Sequence, residues 1–120
     1  MADRMMMITW GEVVRGREER SLEVFNEAIG MYGRMQQDGR IDSFDVTLLA
    51  PSTDLGGYIA VRGSAAQMAA LREDEEYLRN MVDASLNVEN LRVCEGYANA
   101  GIARQLAIYQ DAISKVPQMA

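Results

Sequence analysis

Apolar residues recur along this chain with two periods, and the changes of period mark out its elements. Met5 to Val14 mixes Ile, Thr, Trp and Val and stops at Arg15-Gly16, which predicts a strand. From Glu18 to Asp38, Leu22, Phe25, Ile29, Tyr32 and Met35 recur every three or four residues, as one stripe of a long amphipathic helix does. Gly30 and Gly33 interrupt that stripe at a cost of about 1 kcal/mol each against Ala, so a close approach of another element or a bend is expected there. Asp38-Gly39 ends the helix with a left-handed cap. Phe44, Val46 and Leu48 alternate with Asp45 and Thr47, a half-buried strand. Pro51-Ser52-Thr53-Asp54 marks a turn, and Tyr58 to Arg62 gives the returning strand of a hairpin.

Ser64 and Gln67 have the spacing of a capping box, which starts a second helix after Gly63. Met68, Leu71, Leu78 and Met81-Val82 form its expected buried stripe. The acidic run Glu73 to Glu76 divides it, with Asp74 at the start of the second piece. Leu91, Val93, Glu95 and Tyr97 then alternate with Arg92, Cys94 and Gly96, a fourth strand. Ile102, Leu106, Tyr109, Ile113 and Val116 return to helical spacing over about 100–116, with Asn99 as its cap and Pro117 as its stop.

The order is therefore βαββαβ plus a C-terminal helix, in one α+β domain over 1–120 with no linker. Right-handed crossovers place the four strands in an antiparallel sheet of order 4-1-3-2, with both crossover helices on one face. The first strand with Trp10-Gly11-Glu12, the long first helix, the run Gly56-Gly57-Tyr58-Ile59 and the two-part second helix resemble the dimeric α+β-barrel superfamily of the ferredoxin-like fold. That resemblance implies a homodimer whose sheets pair face to face. The superfamily includes cofactor-independent monooxygenases, chlorite-dismutase-like haem proteins and muconolactone-isomerase-like enzymes. Haem ligation and catalysis through His do not carry over, because this chain has no His.

Composition narrows the chemistry further. Twelve basic and 18 acidic residues give a net charge of −6, against the basic stripe of a nucleic-acid binder. A single Cys and no His exclude an intrachain disulfide, a zinc finger and any Ser-His-Asp or Cys-His arrangement. The apolar start Met5 to Trp10 is shorter than a secretory core, and no run is long enough to span a bilayer, so a cytoplasmic protein with no membrane partner is expected. No metal or cofactor is expected. The nine Met residues suit core filling, and Cys94 reads as a small buried apolar residue.

Strand alternation then sorts the faces. Setting Val46 opposite Val61 and Leu48 opposite Ile59 turns those residues to the helices. The same register sets Asp45 opposite Arg62, Thr47 opposite Ala60 and Leu49 opposite Tyr58 on the open face. In the first strand, Ile8, Trp10 and Glu12 are expected on the open face, since small Thr9 and Gly11 would let the helices pack closely. The fourth strand leaves both parities open. The open face would thus combine Ile8, Trp10, Leu49 and Tyr58 with Glu12, Asp45 and Arg62, a composition that suits a dimer interface and a ligand pocket alike. Trp10, Glu12, Asp45, Tyr58 and Arg62 are the ligand-binding candidates: Arg62 to grip a carboxylate or to pair with Asp45, and Glu12 as a general base. No residue is assigned a catalytic role. The expected function is a homodimeric module binding a small apolar or aromatic carboxylic acid between its sheets. The alternatives are a cofactor-independent monooxygenase- or isomerase-like enzyme and a purely structural interaction subunit. The C-terminal helix is expected to cross the neighbouring subunit or brace the sheet edge.

Overall fold

A computed structural model describes residues 2–50 and 54–117. The elements are β1 (Arg4–Trp10), α1 (Glu18–Gln37), β2 (Ser43–Leu48), β3 (Gly57–Gly63), α2 (Ala65–Glu73), α3 (Glu75–Asn87), β4 (Arg92–Tyr97) and α4 (Ala100–Ile113). The expected turn at 51–53 lies outside the described residues. The strands form one antiparallel sheet in the order β2-β3-β1-β4, the expected order written from its other edge.

Local chemistry sets most boundaries. The Ser64 hydroxyl accepts from Gln67 N at 3.1 Å while the Gln67 side-chain Oε1 accepts from Ser64 N at 2.7 Å, a complete capping box. Asp74 ends α2 and begins α3, its carboxylate accepting from Tyr77 N at 2.9 Å. Gly39 supplies the left-handed residue after α1, at φ +76°. Gly33 meets nothing within 4 Å of a notional Cβ and Gly30 meets only the Arg34 guanidinium, so no other element approaches α1 there.

Three expectations need correction. First, β1 ends at Trp10 and leaves Glu12 in a loop, because the backbone there turns to pair with the approach to β4: Gly11 N donates to the Glu89 carbonyl and Glu89 N to the Glu12 carbonyl, both at 2.7 Å. Second, the hairpin register is shifted by two residues: Val46 faces Ile59, Phe44 faces Val61 and Ser43 faces Arg62. A shift of two preserves the side each residue faces. Third, Ile8 and Trp10 turn toward the helices. Met6 and Ile8 are 0% and 4% exposed and join Ile59, Val61, Met31, Tyr32 and Met35 in the core. Bulk wins over the small-residue argument, since the core needs these side chains to fill it. Opposite partners then place Val93 on the covered face beside Ile8, and Cys94 on the open face beside Met7, where it is exposed.

The remaining departure concerns α4. Its cap is not the Asn99 side chain, which instead donates to the Ala2 carbonyl at 2.6 Å, with Asn99 itself at φ +52°. Gly101 is buried against the Asp3 carbonyl, with no room for a Cβ. From Ile102 onward every described residue is exposed, including Leu106, Ile108, Tyr109 and Ile113. The helix projects from a firmly held root, which gives a radius of gyration of 17.1 Å where a compact chain of this length has about 14 Å.

Candidate ligand cavity

Between the covered face of the sheet and helices α1 and α3 lies a cavity of about 320 Å³. The sheet contributes Ile8, Trp10 and Ile59; α1 contributes Ser21, Phe25, Ala28 and Tyr32; α3 contributes Asn80, Met81, Ala84 and Asn87. The α1 residues are spaced four, three and four apart, so they share the face turned to the sheet. Ser21, Ala28 and Ala84 are small at positions where larger side chains would fill the layer. The cavity follows from that choice of residues.

Trp10 is placed by two glycines. Its Cα partner in β3 is Gly57, where a Cβ would come within 2.9 Å of Trp10 Cζ2, and Gly56 also lies against the indole. The ring then meets Phe25 edge-on, with centroids 5.8 Å apart at 66°. Outside the cavity, α1 and α3 are tied by Arg20 to Asp83 at 2.9 Å, by the Arg17 guanidinium to the Leu86 carbonyl, and by Asn80 Nδ2 to the Val24 carbonyl at 3.3 Å. Bonds to Glu23 and Glu27 raise the Arg20 pKa against its own desolvation.

The polar groups of the lining are few and mostly engaged. Asn87 Nδ2 donates to the Asp83 carbonyl at 2.7 Å. Glu18 is the one formally charged residue among the lining residues, and both its carboxylate oxygens accept from Gly16 N at 3.0 Å. Tyr32 is different. It is 1% exposed, and its hydroxyl has no hydrogen-bond partner among the described residues. Burial pushes its pKa well above that of a free tyrosine. The Tyr77 hydroxyl, also raised by burial, does have a partner, donating to the Met6 sulfur at 3.5 Å.

Of the five expected ligand residues, only Trp10 lines this cavity. Tyr58, Asp45 and Arg62 lie on the opposite, open face, and Glu12 is exposed in the loop after β1. Arg62 pairs with Asp45, though across a diagonal, since Asp45 stands opposite Ala60. Sequence reasoning missed Tyr32, Asn80, Ala84 and Asn87 as site residues. Their signal was present as small and polar residues at helical spacing on two helices that the topology stacks on one sheet.

Solved structures share this architecture. A dimeric protein of ferredoxin-like fold from Bacteroides fragilis NCTC 9343 superposes with a TM-score of 0.60 at 11% identity, over 79% of this chain and 96% of its own. A dimeric ferredoxin-like protein from Jannaschia sp. CCS1 gives 0.58 at 12% identity, over 80% and 98%. The fold is ferredoxin-like. Within that fold, a cofactor-independent oxygenase from Streptomyces nogalater superposes at 0.54 with 15% identity, over 82% of this chain and 95% of its own. No family model and no curated protein matches the chain. No described helix of this ferredoxin-like domain is long and apolar enough to cross a membrane.

Proposed function

We propose that this chain is a homodimeric binding domain whose ligand, a small and largely apolar molecule, occupies the cavity between the sheet and helices α1 and α3. The observation that carries this reading is the cavity itself: about 320 Å³, walled by Trp10, Phe25, Met81 and Leu91, with few polar groups in its lining. Small-molecule sites have this size and composition. The occupant expected from sequence, a carboxylic acid, gives way to a neutral one. Among the described residues no Arg or Lys lines the cavity, and Arg62 is on the far face beside Asp45. An anion would lose hydration there without gaining a cation.

Binding is favoured over catalysis because Glu18, the carboxylate at the cavity, is held by Gly16 N, and Glu12 is not among the lining residues. The homodimer is supported by the dimeric neighbours of the same fold and by two apolar surfaces left uncovered in one chain. One is the open sheet face with Met5, Met7 and Tyr58; the other is α4. Such surfaces mark contact sites in soluble proteins. Native mass spectrometry of freshly purified protein, followed by titration with 2-acetylnaphthalene, tests both parts. The expected result is a dimer binding one molecule per protomer in the wild type, and loss of binding in Ala84→Leu, whose larger side chain fills the cavity. A monomer, or an affinity unchanged by Ala84→Leu, overturns the corresponding part.

A further inference from the structure

We infer that α4 is a self-pairing arm: it lies antiparallel against α4 of a second copy of this chain. This deepens the homodimer reading above and is independent of the cavity. Ile102, Leu106, Tyr109 and Ile113 are exposed by 48%, 54%, 61% and 36%, and their spacing of four, three and four places them in one narrow seam. Ala103, Gln105, Gln110 and Ala112 flank that seam. Arg104, Asp111 and Lys115 fall on the opposite side of the helix, where Lys115 pairs with Asp111 at 3.3 Å. The root fixes the direction of the arm. Ala98 N donates to the Asp3 carbonyl at 3.1 Å, Asn99 Nδ2 donates to the Ala2 carbonyl at 2.6 Å, and a Cβ on Gly101 would come within 2.3 Å of the Asp3 carbonyl oxygen. A helix held in this way does not swing back over its own sheet.

The seam is complementary to itself, which is what assigns its occupant. Four-three-four reads the same in both directions, so an antiparallel copy sets Ile102 level with Ile113, and Leu106 level with Tyr109, of the second copy. Parallel pairing would instead crowd both Tyr109 side chains into one layer. In an antiparallel pair of identical helices each flank faces its own counterpart, so a charge there would meet its like; the Ala and Gln flanks avoid that. Opposed macrodipoles favour the same orientation, and a contact of this kind closes on a two-fold axis. Four seam side chains per helix fall short of the roughly 800 Å² per partner of a standard interface. The α4 pair therefore adds to the contact of the open sheet face and does not replace it.

Pulsed electron paramagnetic resonance on the full chain tests the pairing. Cys94, the only Cys, is replaced by Cys94→Ser, and one nitroxide is attached at Ala107→Cys or, in a second sample, at Ser114→Cys. Both positions lie on the same side of α4. In the antiparallel pair the Ala107 labels sit nearly level, whereas the Ser114 labels are offset by about 20 Å along the axis, so the Ser114 pair is expected to show the distinctly longer distance. Sedimentation of Leu106→Asp supplies the second readout. Its side chain is exposed, so the unfolding midpoint of the protomer should hold, while the dimer dissociation constant rises at least a hundredfold, about tenfold for the side chain of each copy. An Ala107 distance no shorter than the Ser114 distance, or no dipolar coupling from either site in a sample that sediments as a dimer, overturns the inference and leaves the homodimer standing. A dissociation constant unchanged by Leu106→Asp overturns it as well. A wild type that sediments as a monomer rejects the homodimer reading and the inference together.

Discussion

On the covered face of the sheet, Met6, Ile8, Ile59 and Val61 are each no more than 4% exposed, whereas on the open face Met5, Met7, Tyr58 and Arg62 stay partly accessible in the single chain. The same strands build both faces, and successive side chains simply alternate between them. Yet the covered face is closed by α1, α2 and α3, and the open face has no helix over it. The covered face carries the folding energy and forms the floor of the cavity. The open face carries Met, Tyr and an Arg–Asp pair, the residue types of an interface. One polar substitution should therefore have opposite consequences on adjacent residues of β1.

The largest effect is expected from Ile8→Asp, which buries an unpaired charge in the core and should destabilise by more than about 4 kcal/mol. Thermal and urea unfolding would show a chain largely unfolded at room temperature. Met7→Asp, one residue away, should leave the protomer folded but halve the mass seen by sedimentation. A folded Ile8→Asp or an unfolded Met7→Asp would break the distinction between the faces.

Next in size is Gly57→Val. Its side chain must displace Trp10 and the Thr47 carbonyl, which a Cβ would approach to 2.6 Å. A loss of about 2–3 kcal/mol is expected, with a shifted Trp10 emission as the local readout, since Trp10 is the only Trp.

Alkaline pH sharpens the comparison further. The folded pKa values of Tyr32 and Tyr77 lie above the ordinary value near 10. Between the unfolded and folded values the unfolded chain binds fewer protons, so stability is fully present below pH 10 and falls as pH rises beyond it. The slope reaches at most about 1.4 kcal/mol per pH unit for each such tyrosine. Urea midpoints across that range should show the fall, and Tyr32→Phe should reduce its slope. An unchanged slope in both Tyr32→Phe and Tyr77→Phe would reject this account.

The smallest effect belongs to the open face. Arg62 and Asp45 side chains are 38% and 64% exposed, so the double replacement Asp45→Ala with Arg62→Met should change protomer stability by less than about 1 kcal/mol. Unfolding of the Met7→Asp background, where the protomer stands alone, isolates that term.

The sheet order was legible because alternating strands and amphipathic helices in βαββαβ order leave one right-handed solution. The break at Asp74 and the Ser64–Gln67 cap were legible because both are local hydrogen-bond chemistry. The facing of β1 was not. Met5, Met6, Met7 and Ile8 are all apolar, so alternation there gives no contrast, and the small size of Thr9 and Gly11 pointed the wrong way. That one reversal moved Trp10 from the open face to the cavity and separated it from Tyr58 and Arg62. The cavity itself was hidden because it is made by what is small, Ser21, Ala28 and Ala84, and a search for reactive or bulky residues passes over such positions.

The pairing of Arg4 with Tyr97 and of Met7 with Cys94 also dictates a sequence of events in time. β1 lies between β3 and β4, and both of its neighbours follow it in the chain by more than a helix. During synthesis the Met-rich β1 therefore emerges before either neighbour and waits with both edges unpaired, a state that invites pairing with other chains. β3 protects one edge; β4, made after β3, protects the other. The lock then closes backward: Ala98 N donates to the Asp3 carbonyl at 3.1 Å and the Asn99 amide to that of Ala2. Shortening the chain before Arg92 would leave β1 without its second neighbour and without its N-terminal clasp, so one edge of β1 stays open until the residues through Asn99 have been made.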